Sequence, residues 1–283
     1  MAFLKFNNNF ISHNGKLLNI PLNPKFTILI DTTKSGSASN TFILPTVGAG
    51  YNAVVEWGDG TSQTITGTPG NVTKVYSTPG TYEIKISGLF PSIYFNNGGD
   101  CAKLIEIKNW GSIVWGSMRG AFFGCYNMIA SWKDNPNLSV ATDISWMFFG
   151  CMSLNYAINF NTSHIIDCNR MFVNCITFNK PINIDTTNIT NMTQMFGNCY
   201  VFDQDISNFN IESVTNMTGM FVGANNLSTT NYNLLLISWA TQNVKSNVPF
   251  DAGDAQCSGV DAKTARLHLI NTHGWTITDT PPV

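Results

Sequence analysis

The chain has 283 residues, of which 43% are hydrophobic and 11% are charged, and its formal net charge is −2 at pH 7. The apolar content is sufficient for a buried core, which argues against intrinsic disorder. Without an excess of Lys and Arg, a protein of this charge is not expected to bind nucleic acid. Because the sequence has no run of about 18 uncharged apolar residues, no membrane span is predicted.

Residues 1–25 are predicted to be a leader that docks onto another protein and is not cleaved. A secretory signal needs about 7–15 consecutive apolar residues after a positive stretch. Here Asn7, Asn8 and Asn9 interrupt the apolar run that follows Phe6. The segment therefore does not fit a signal peptide, and we expect it to pack against a partner.

Residues 26–90 alternate between β-rich runs of strand length and stretches rich in Gly, Pro, Ser and Asp. The runs are KFTILI (25–30), NTFILP (40–45), NAVVEW (52–57), SQTITG (62–67), TKVYS (73–77) and TYEIKIS (81–87). Regularly spaced short strands separated by turn residues favour an antiparallel β-sandwich.

The stretch VVEWGDGTSQ and the later GTYEIKIS carry a family resemblance. Asp59 and Gly60 form the turn of a tight hairpin, and Gly80 and Tyr82 set the strand that follows the next turn. With W-G-D-G and Y…G-x-Y, residues 26–90 resemble the polycystic-kidney-disease-type Ig-like domain. The resemblance implies an Ig-like sandwich that serves as a spacer or adhesion module on exposed surfaces. A calcium site at Glu56 and Asp59 is an alternative, although calcium takes 6–8 oxygen ligands.

Residues 91–114 are predicted to be connecting strands, and from residue 115 to about 230 one phrase recurs. It is AFFGCYNM from residue 121, MFFGCMSL from 147, MFVNCITF from 171, MFGNCYVF from 195 and MFVGANNL from 220. The aligned residues Phe122, Phe148, Phe172, Phe196 and Phe221 are 24–26 positions apart. A catalytic motif occurs once, whereas a phrase with this period is typical of stacked structural repeats.

Within each unit, apolar residues at offsets 0, +3, +4 and +7 predict one face of a two-turn α-helix. Besides the Phe row, the apolar rows are Met118, Ile144, Cys168, Met192, Met217; Ala121, Met147, Met171, Met195, Met220; and Cys125, Cys151, Cys175, Cys199, Ala224. The predicted N-caps are Ser117, Asp143, Asp167, Asn191 and Asn216. The residues that suit a left-handed helix end are Gly124, Gly150, Asn174, Asn198 and Gly223.

Further apolar rows lie on either side of each predicted helix. Two rows follow the helix in sequence: Met128, Leu154, Phe178, Phe202, Leu227, and then Trp132, Ile158, Ile182, Ile206. One row precedes it and is predicted to be a short strand: Trp115, Ala141, Ile165, Ile189, Val214. Each unit is thus expected to be a strand, a turn, a short capped helix and a return. No unit can bury its apolar side alone, so neighbours must stack.

The repeats carry a second family resemblance, in the phrases V-T-N-M-T-x-M-F and F-D-Q-D-I. Residues 115–279 resemble the BspA-like leucine-rich-repeat family of bacterial surface proteins, and the ending NYNLLLISWATQ onward resembles the C-terminal cap of relatives in Bacteroidetes. The resemblance implies a leucine-rich-repeat-like α/β solenoid of about five units, with a cap over 231–283. The predicted fold class is therefore mixed and β-rich, with an Ig-like sandwich followed by this solenoid.

The cysteines of the repeats are expected to form a buried ladder, because Ala224 fills the same row in the last unit and free Cys packs as a small hydrophobe. Disulfides between adjacent rungs are the alternative. A zinc site is not expected, since its ligands come in closely spaced pairs. The Met row is assigned to the core in preference to a soft binding stripe. Cys101 and Cys257 lie outside the ladder and receive no role.

No catalytic, cofactor-binding or metal-binding residues are assigned, and the ligand-binding residues stay open. The histidines His13, His164, His268 and His273 are isolated in sequence, and no base, nucleophile and orienting group come together in a motif. The chain is therefore not expected to be an enzyme.

The favoured function is a structural or adhesion protein on a phage, or phage-like particle, that infects Bacteroidetes. Residues 1–25 would attach it to other virion structural proteins in a multimeric assembly, and its modules would contact a host-surface protein or polysaccharide. Assembly in the host cytoplasm would keep the thiols reduced. The alternatives are a cell-surface adhesin of a Bacteroidetes bacterium, as the repeat family implies, and a cytoplasmic scaffold.

Overall fold

A computed structural model of the chain describes residues 10–13, 16–19 and 24–283. Over these residues the protein is β-rich with two α-helices, which confirms the predicted β-rich class. The strands are β1 (Phe10–His13), β2 (Lys16–Asn19), β3 (Phe26–Asp31), β4 (Thr41–Leu44), β5 (Tyr51–Glu56), β6 (Ser62–Gly67), β7 (Val72–Val75), β8 (Thr81–Leu89), β9 (Leu104–Asn109), β10 (Ile129–Ala130), β11 (Pro249–Gln256) and β12 (Thr276–Thr280). The helices are α1 (Thr229–Trp239) and α2 (Val260–His273).

The predicted docking leader, residues 1–25, lies mostly outside the described residues. Within it, β1 and β2 pair antiparallel as a two-stranded sheet, with Phe10 opposite Asn19 and His13 opposite Lys16. Neither α-helix of the described chain has the length and apolar character needed to cross a bilayer.

Each of the six strand-like runs in residues 25–87 forms a strand, β3 to β8, with ends within two residues of those predicted. They belong to a six-stranded sheet of order β10-β9-β3-β8-β5-β6 and a separate β4-β7 pair. Side chains on β5 alternate between buried and exposed, as expected for a strand with one face on the core. The predicted connecting stretch supplies β9, which pairs antiparallel with β3 and so extends this sheet beyond residue 90.

A buried ion pair fastens the loop between β3 and β4 to the turn before β9. The ammonium of Lys103 lies 3.7 Å from Asp100, and both side chains are fully buried. Lys103 Nζ also donates to the backbone carbonyls of Ser37, Ala38 and Thr41 at 2.7–2.9 Å. Burial of two charges is tolerated here because hydrogen bonds surround them.

The α-helix predicted in each repeat unit is wrong, since the structure has a series of tight turns there. Alternate amides bond within the unit, as when Cys125 N donates to the carbonyl of Phe122 at 3.0 Å. The amides between them bond to the next unit, as when Gly124 N donates to the carbonyl of Phe149 at 2.8 Å. A helix directs its amides to the carbonyl four residues back, so this alternation excludes it.

Left-handed backbone occurs twice in every unit. The predicted row is confirmed, with positive φ at Gly124, Gly150, Asn174, Asn198 and Gly223. A second row was not predicted, and it comprises Gly120, Trp146, Arg170, Gln194 and Gly219. Two left-handed residues four positions apart close successive turns and prevent a continuous right-handed helix.

The predicted N-caps accept backbone hydrogen bonds, but in turns. The side chain of Asp143 accepts from Ser145 N at 2.8 Å, and that of Asn191 accepts from Thr193 N at 3.1 Å. Such a bond to the amide two residues on is the usual side-chain-closed turn of Asp and Asn. The short strand predicted in each unit, at Ala141 and Ile165 for example, does not form. Isolated parallel bridges lie two residues later, as between Asp143 and Asp167.

The apolar rows predicted from the sequence are all buried, with exposed fractions of 6% or less. The aligned Phe rings follow one another at centroid distances of 5.5–5.8 Å. Phe95 extends this row ahead of the first unit, 6.5 Å from Phe122, and Phe250 extends it beyond the last, 6.3 Å from Phe221. One core cluster therefore contains residues from Phe26 to Trp275.

The C-terminal segment continues the hydrogen bonding of the last unit. Met217 N donates to the carbonyl of Pro249 at 2.9 Å, and Phe221 N donates to that of Asp251 at 3.0 Å, so β11 lies against this unit. Inside the segment, Arg266 pairs with Asp279 at 2.6 Å, and Tyr232 Oη donates to the same carboxylate. These contacts join α1, α2 and β12.

Candidate functional site

The cysteines of the repeats lie in the core, as predicted. Cys125, Cys151, Cys175 and Cys199 are fully buried, and burial raises the pKa of each thiol, to about 12 for Cys199. All seven cysteines are free, so the alternative of bridged rungs is not what the structure has. In the described part of the chain, no three His, Cys, Asp or Glu side chains are grouped to hold a metal ion.

The carboxylates considered for calcium are each paired with a lysine. Asp59 lies 2.7 Å from Lys74 Nζ, and its other oxygen accepts from the amide and hydroxyl of Thr61. Burial alone would raise the pKa of Asp59, but the hydrogen bonds and the charge of Lys74 outweigh it and lower the pKa to about 2. Glu56 forms its ion pair with Lys25. Both carboxylates are therefore engaged in contacts within the fold.

A surface depression with a volume of about 470 Å³ lies where three repeat units meet. We call it the lysine groove. It is lined by Trp132, Lys133, Asp134, Asn135, Asn155, Tyr156, Ala157, Asn159 and Lys180. Aromatic, amide and charged side chains in a shallow site are suited to binding a polar ligand.

The polar groups of the lysine groove are held by the fold. Tyr156 Oη donates to the carbonyl of Trp132 at 2.8 Å, and its ring packs edge-on at 5.2 Å from the Trp132 ring. Both oxygens of Asp134 accept backbone amides, those of Trp110 and Gly111, at 2.8 and 2.7 Å. Lys133 and Lys180 are exposed and have no ion-pair partner in the described residues.

A second surface follows the unpredicted left-handed row, and we call it the arginine–aromatic patch. It consists of Phe123, Trp146, Phe149, Arg170 and Gln194, all partly exposed. The guanidinium carbon of Arg170 lies 4.9 Å from the centroid of Trp146, a cation–π contact. On its other side, Arg170 Nε donates to Gln194 Oε1 at 2.7 Å. Arg170 is thus held between two neighbouring units.

The aromatic rings complete the patch. Trp146 stacks on Phe149 at a centroid distance of 5.1 Å, and Phe149 lies 4.5 Å from Phe123. Gly219 leaves room for Gln194, since a Cβ there would lie 2.9 Å from Gln194 Cγ. Sequence reasoning missed the patch because the residue type in the left-handed row changes between adjacent units. The patch could have been noticed from the large side chains of Trp146 and Arg170, which occupy the same aligned position in adjacent units.

The predicted histidines form no site in the described chain. His268 and His273 lie on α2 with ring centroids 5.1 Å apart, and His268 Nδ1 lies 3.2 Å from the hydroxyl of Thr272. His164 is exposed and isolated, and the side chain of His13 lies outside the described residues. Cys101 is partly exposed and Cys257 is buried, and neither joins a cluster of potential ligands in the described chain.

Comparison with known proteins gives one similarity, over the repeats. Residues 116–234 match the family described as Mycoplasma protein of unknown function, DUF285. The match covers less than half of the 283 residues, and its limits are close to the predicted repeat region of 115–230. No curated protein and no solved structure matches the chain. The similarity thus bears on the repeats and does not indicate a function.

Proposed function

We propose that the protein is a non-enzymatic structural and adhesion protein displayed on a phage, or phage-like particle, that infects Bacteroidetes. Residues 26–90 would form an Ig-like sandwich, and residues 115–230 would form a leucine-rich-repeat-like solenoid with a C-terminal cap. The segment 1–25 would attach the chain to other virion proteins in a multimeric assembly. The remainder would face outward to contact a host-surface protein or polysaccharide.

The observation that carries this proposal is the division between the interior and the exterior of the repeats. The thiols, thioethers and Phe rings of the recurring phrase are buried, whereas the exterior has the lysine groove and the arginine–aromatic patch. Hydrogen bonds from unit to unit fix the backbone beneath both surfaces. A rigid surface of this kind favours binding, because few groups must be ordered when the ligand arrives.

Seven free thiols support folding in a reducing compartment. A protein that is assembled into a particle within the host cytoplasm meets this condition. Adhesins that mature outside the cell meet an oxidising environment, in which the partly exposed Cys101 is prone to pairing. This difference favours the virion over the cell-surface adhesin.

The test is incorporation into particles by a chain that lacks residues 1–23. The deletion ends before Pro24, whose carbonyl accepts the amide of Ser112, and before Lys25, which pairs with Glu56. We expect the shortened chain to keep the thermal unfolding midpoint of the full chain and to be missing from purified particles. Normal incorporation would contradict the docking role. Recovery of the native protein from outer-membrane or vesicle fractions, with none in particles, would favour the cell-surface adhesin.

A further inference from the structure

We propose that the arginine–aromatic patch binds a carboxylate-bearing saccharide, with Arg170 holding the carboxylate and Trp146 and Phe149 supporting the sugar ring. The inference rests on the proposed adhesion function and names a ligand class and a site for it. Four features of the patch carry it, namely the clamped guanidinium, its unpaired charge, the strained backbone and the aromatic surface.

The guanidinium of Arg170 is fixed in a position that leaves its outer edge free. Its central carbon lies over the Trp146 ring, 4.9 Å from the centroid, and its Nε donates to Gln194. Neither terminal nitrogen has a hydrogen-bond acceptor within the described residues, although two NH₂ groups of a guanidinium match the two oxygens of a carboxylate. The side chain is therefore ordered before a ligand binds.

The charge of Arg170 is not neutralised by any carboxylate of the described chain. The nearest acidic residue in sequence is Asp167, whose oxygens accept from Asn169 and Asn191 and form no ion pair with Arg170. A cation that is ordered, partly desolvated and unpaired attracts an anionic group more strongly than a freely moving surface lysine does. The patch thus offers charge complementarity to an acidic ligand.

The backbone of the patch is strained in a way that the fold alone does not require. Trp146, Arg170 and Gln194 have φ values of 61°, 54° and 51°, while the same row holds glycine at Gly120 and Gly219. The parallel row four residues later holds only Gly and Asn, which suit this conformation. The turn therefore forms readily with Gly or Asn. Trp, Arg and Gln disfavour this left-handed conformation, yet they occupy it in three consecutive units and contact one another there. This indicates that these side chains have a function.

The aromatic part of the patch favours a saccharide over other carboxylates. Trp146 and Phe149 are stacked against each other at 5.1 Å with an interplanar angle of 13°, and both rings stay partly exposed beside the arginine. The C–H groups of a pyranose can contact the exposed parts of these rings while its hydroxyls reach polar neighbours. The amide nitrogen of Gln194, which has no acceptor in the described chain, lies beside the guanidinium and can donate to a hydroxyl.

The experiment measures binding to the full chain by isothermal titration calorimetry, with two matched pairs of probes. 3′-Sialyllactose is compared with lactose, and a glucuronate-containing hyaluronan tetrasaccharide with neutral chitotetraose. We expect at least one acidic probe to bind with a dissociation constant on the order of 1 mM, as for a single shallow site. Its neutral counterpart should bind at least tenfold more weakly.

The variants separate binding from folding. Arg170→Asn removes the guanidinium and places a residue that tolerates positive φ, so its unfolding midpoint should equal or exceed that of the wild type while acidic binding falls at least tenfold. Arg170→Lys keeps the charge but loses the planar fork, and we expect binding to weaken as well. Lys245→Asn removes the same charge from an exposed position elsewhere and should leave binding unchanged.

Three results would overturn the inference: no binding of either acidic probe, equal binding of a neutral probe, or unchanged binding by Arg170→Asn. Failure of the adhesion function is measured separately, by incorporation of the protein into particles and attachment of particles to cells. If particles that carry Arg170→Asn still attach normally to cells, this site has no role in attachment, and the proposed adhesion function still stands. If the native protein were absent from particles but still bound an acidic probe, the proposed virion function would be wrong and the binding site would stand.

Discussion

The Sγ atom of Cys175 lies 3.0 Å from the carbonyl oxygen of Phe148, one repeat unit earlier, and donates its hydrogen there. The same contact joins Cys199 to Phe172 at 2.9 Å and Cys151 to Phe122 at 3.2 Å. Each thiol is therefore a weak donor between units as well as a small apolar group in the core.

Replacing Cys175 with Ala tests how much the thiol contributes. The carbonyl of Phe148 also accepts the amide of Cys151 at 3.0 Å, so it keeps a partner when the thiol is lost. We expect the free energy of unfolding to fall by about 1 kcal/mol, from one weak hydrogen bond and a small cavity. Chemical denaturation with urea measures it.

The control substitution at this position is Cys175→Leu. The site is fully buried, and its row holds a small residue in every unit, with Ala224 in the last. The larger side chain should therefore destabilise the protein more than Ala does, by about 1–3 kcal/mol, through overpacking. If Leu were tolerated as well as Ala, the row would not be closely packed.

Thiol modification gives a second prediction. Burial raises the pKa of every cysteine, Cys101 and Cys257 included, but of the seven only Cys101 is partly exposed to a reagent in solvent. Since the thiolate is the reactive form, native protein at pH 8 should react with iodoacetamide at Cys101 first, and with all seven thiols only in denaturant. Peptide mass spectrometry identifies the modified residue. Early labelling of Cys151 or Cys175 would show that the ladder is accessible to solvent.

The sequence predicted the interior of the repeats better than their backbone. A row such as Met147, Met171 and Met195 is apolar in every unit, and residues of that kind are buried whichever backbone carries them. The offsets 0, +3, +4 and +7 arise from successive tight turns as well as from a helix. The hydrogen bonds that decide between them, such as Gly124 N to Phe149 O, join residues a whole unit apart and leave no local pattern.

The exterior was harder to predict for a different reason. In the row that contains Trp146 and Arg170, residue types differ from unit to unit, so alignment of the repeats does not reveal it. The row is defined by its positive φ, which neither Trp nor Arg favours. The lysine groove could not be predicted from the sequence either, because Lys133 and Lys180 line one groove only when successive units lie side by side.

Asn174 allows a direct test of the left-handed backbone. Its φ is 59°, and its side-chain oxygen accepts from Asn198 Nδ2 at 2.9 Å. Asn174→Ala should lower the free energy of unfolding by about 1–2 kcal/mol, because a Cβ without a polar group opposes this conformation. Asn174→Gly loses the same side-chain hydrogen bond but keeps the conformation, so it should cost less. Equal losses in urea denaturation would show that the hydrogen bond, and not the backbone, dominates.

The ion pair between Asp59 and Lys74 makes stability depend on pH at the acidic end. The pKa of Asp59 is lowered from its usual 3.8 to about 2 in the folded chain. A carboxyl with a lowered folded pKa stabilises the fold fully above its unfolded pKa, and that contribution disappears as the pH falls through the folded value. Above pH 5 we expect it to be about 1 kcal/mol, since solvent partly screens the pair.

Asp59→Asn isolates this contribution, because the amide oxygen can still accept from Thr61 N and close the turn. The gap in unfolding midpoint between wild type and variant should be constant from pH 7 to pH 5. It should narrow to about half of that value by pH 3, midway through the protonation of Asp59 in the unfolded and folded states. Scanning calorimetry over this range measures the gap. A gap that stayed constant down to pH 3 would mean that Lys74 does not stabilise the charged carboxylate.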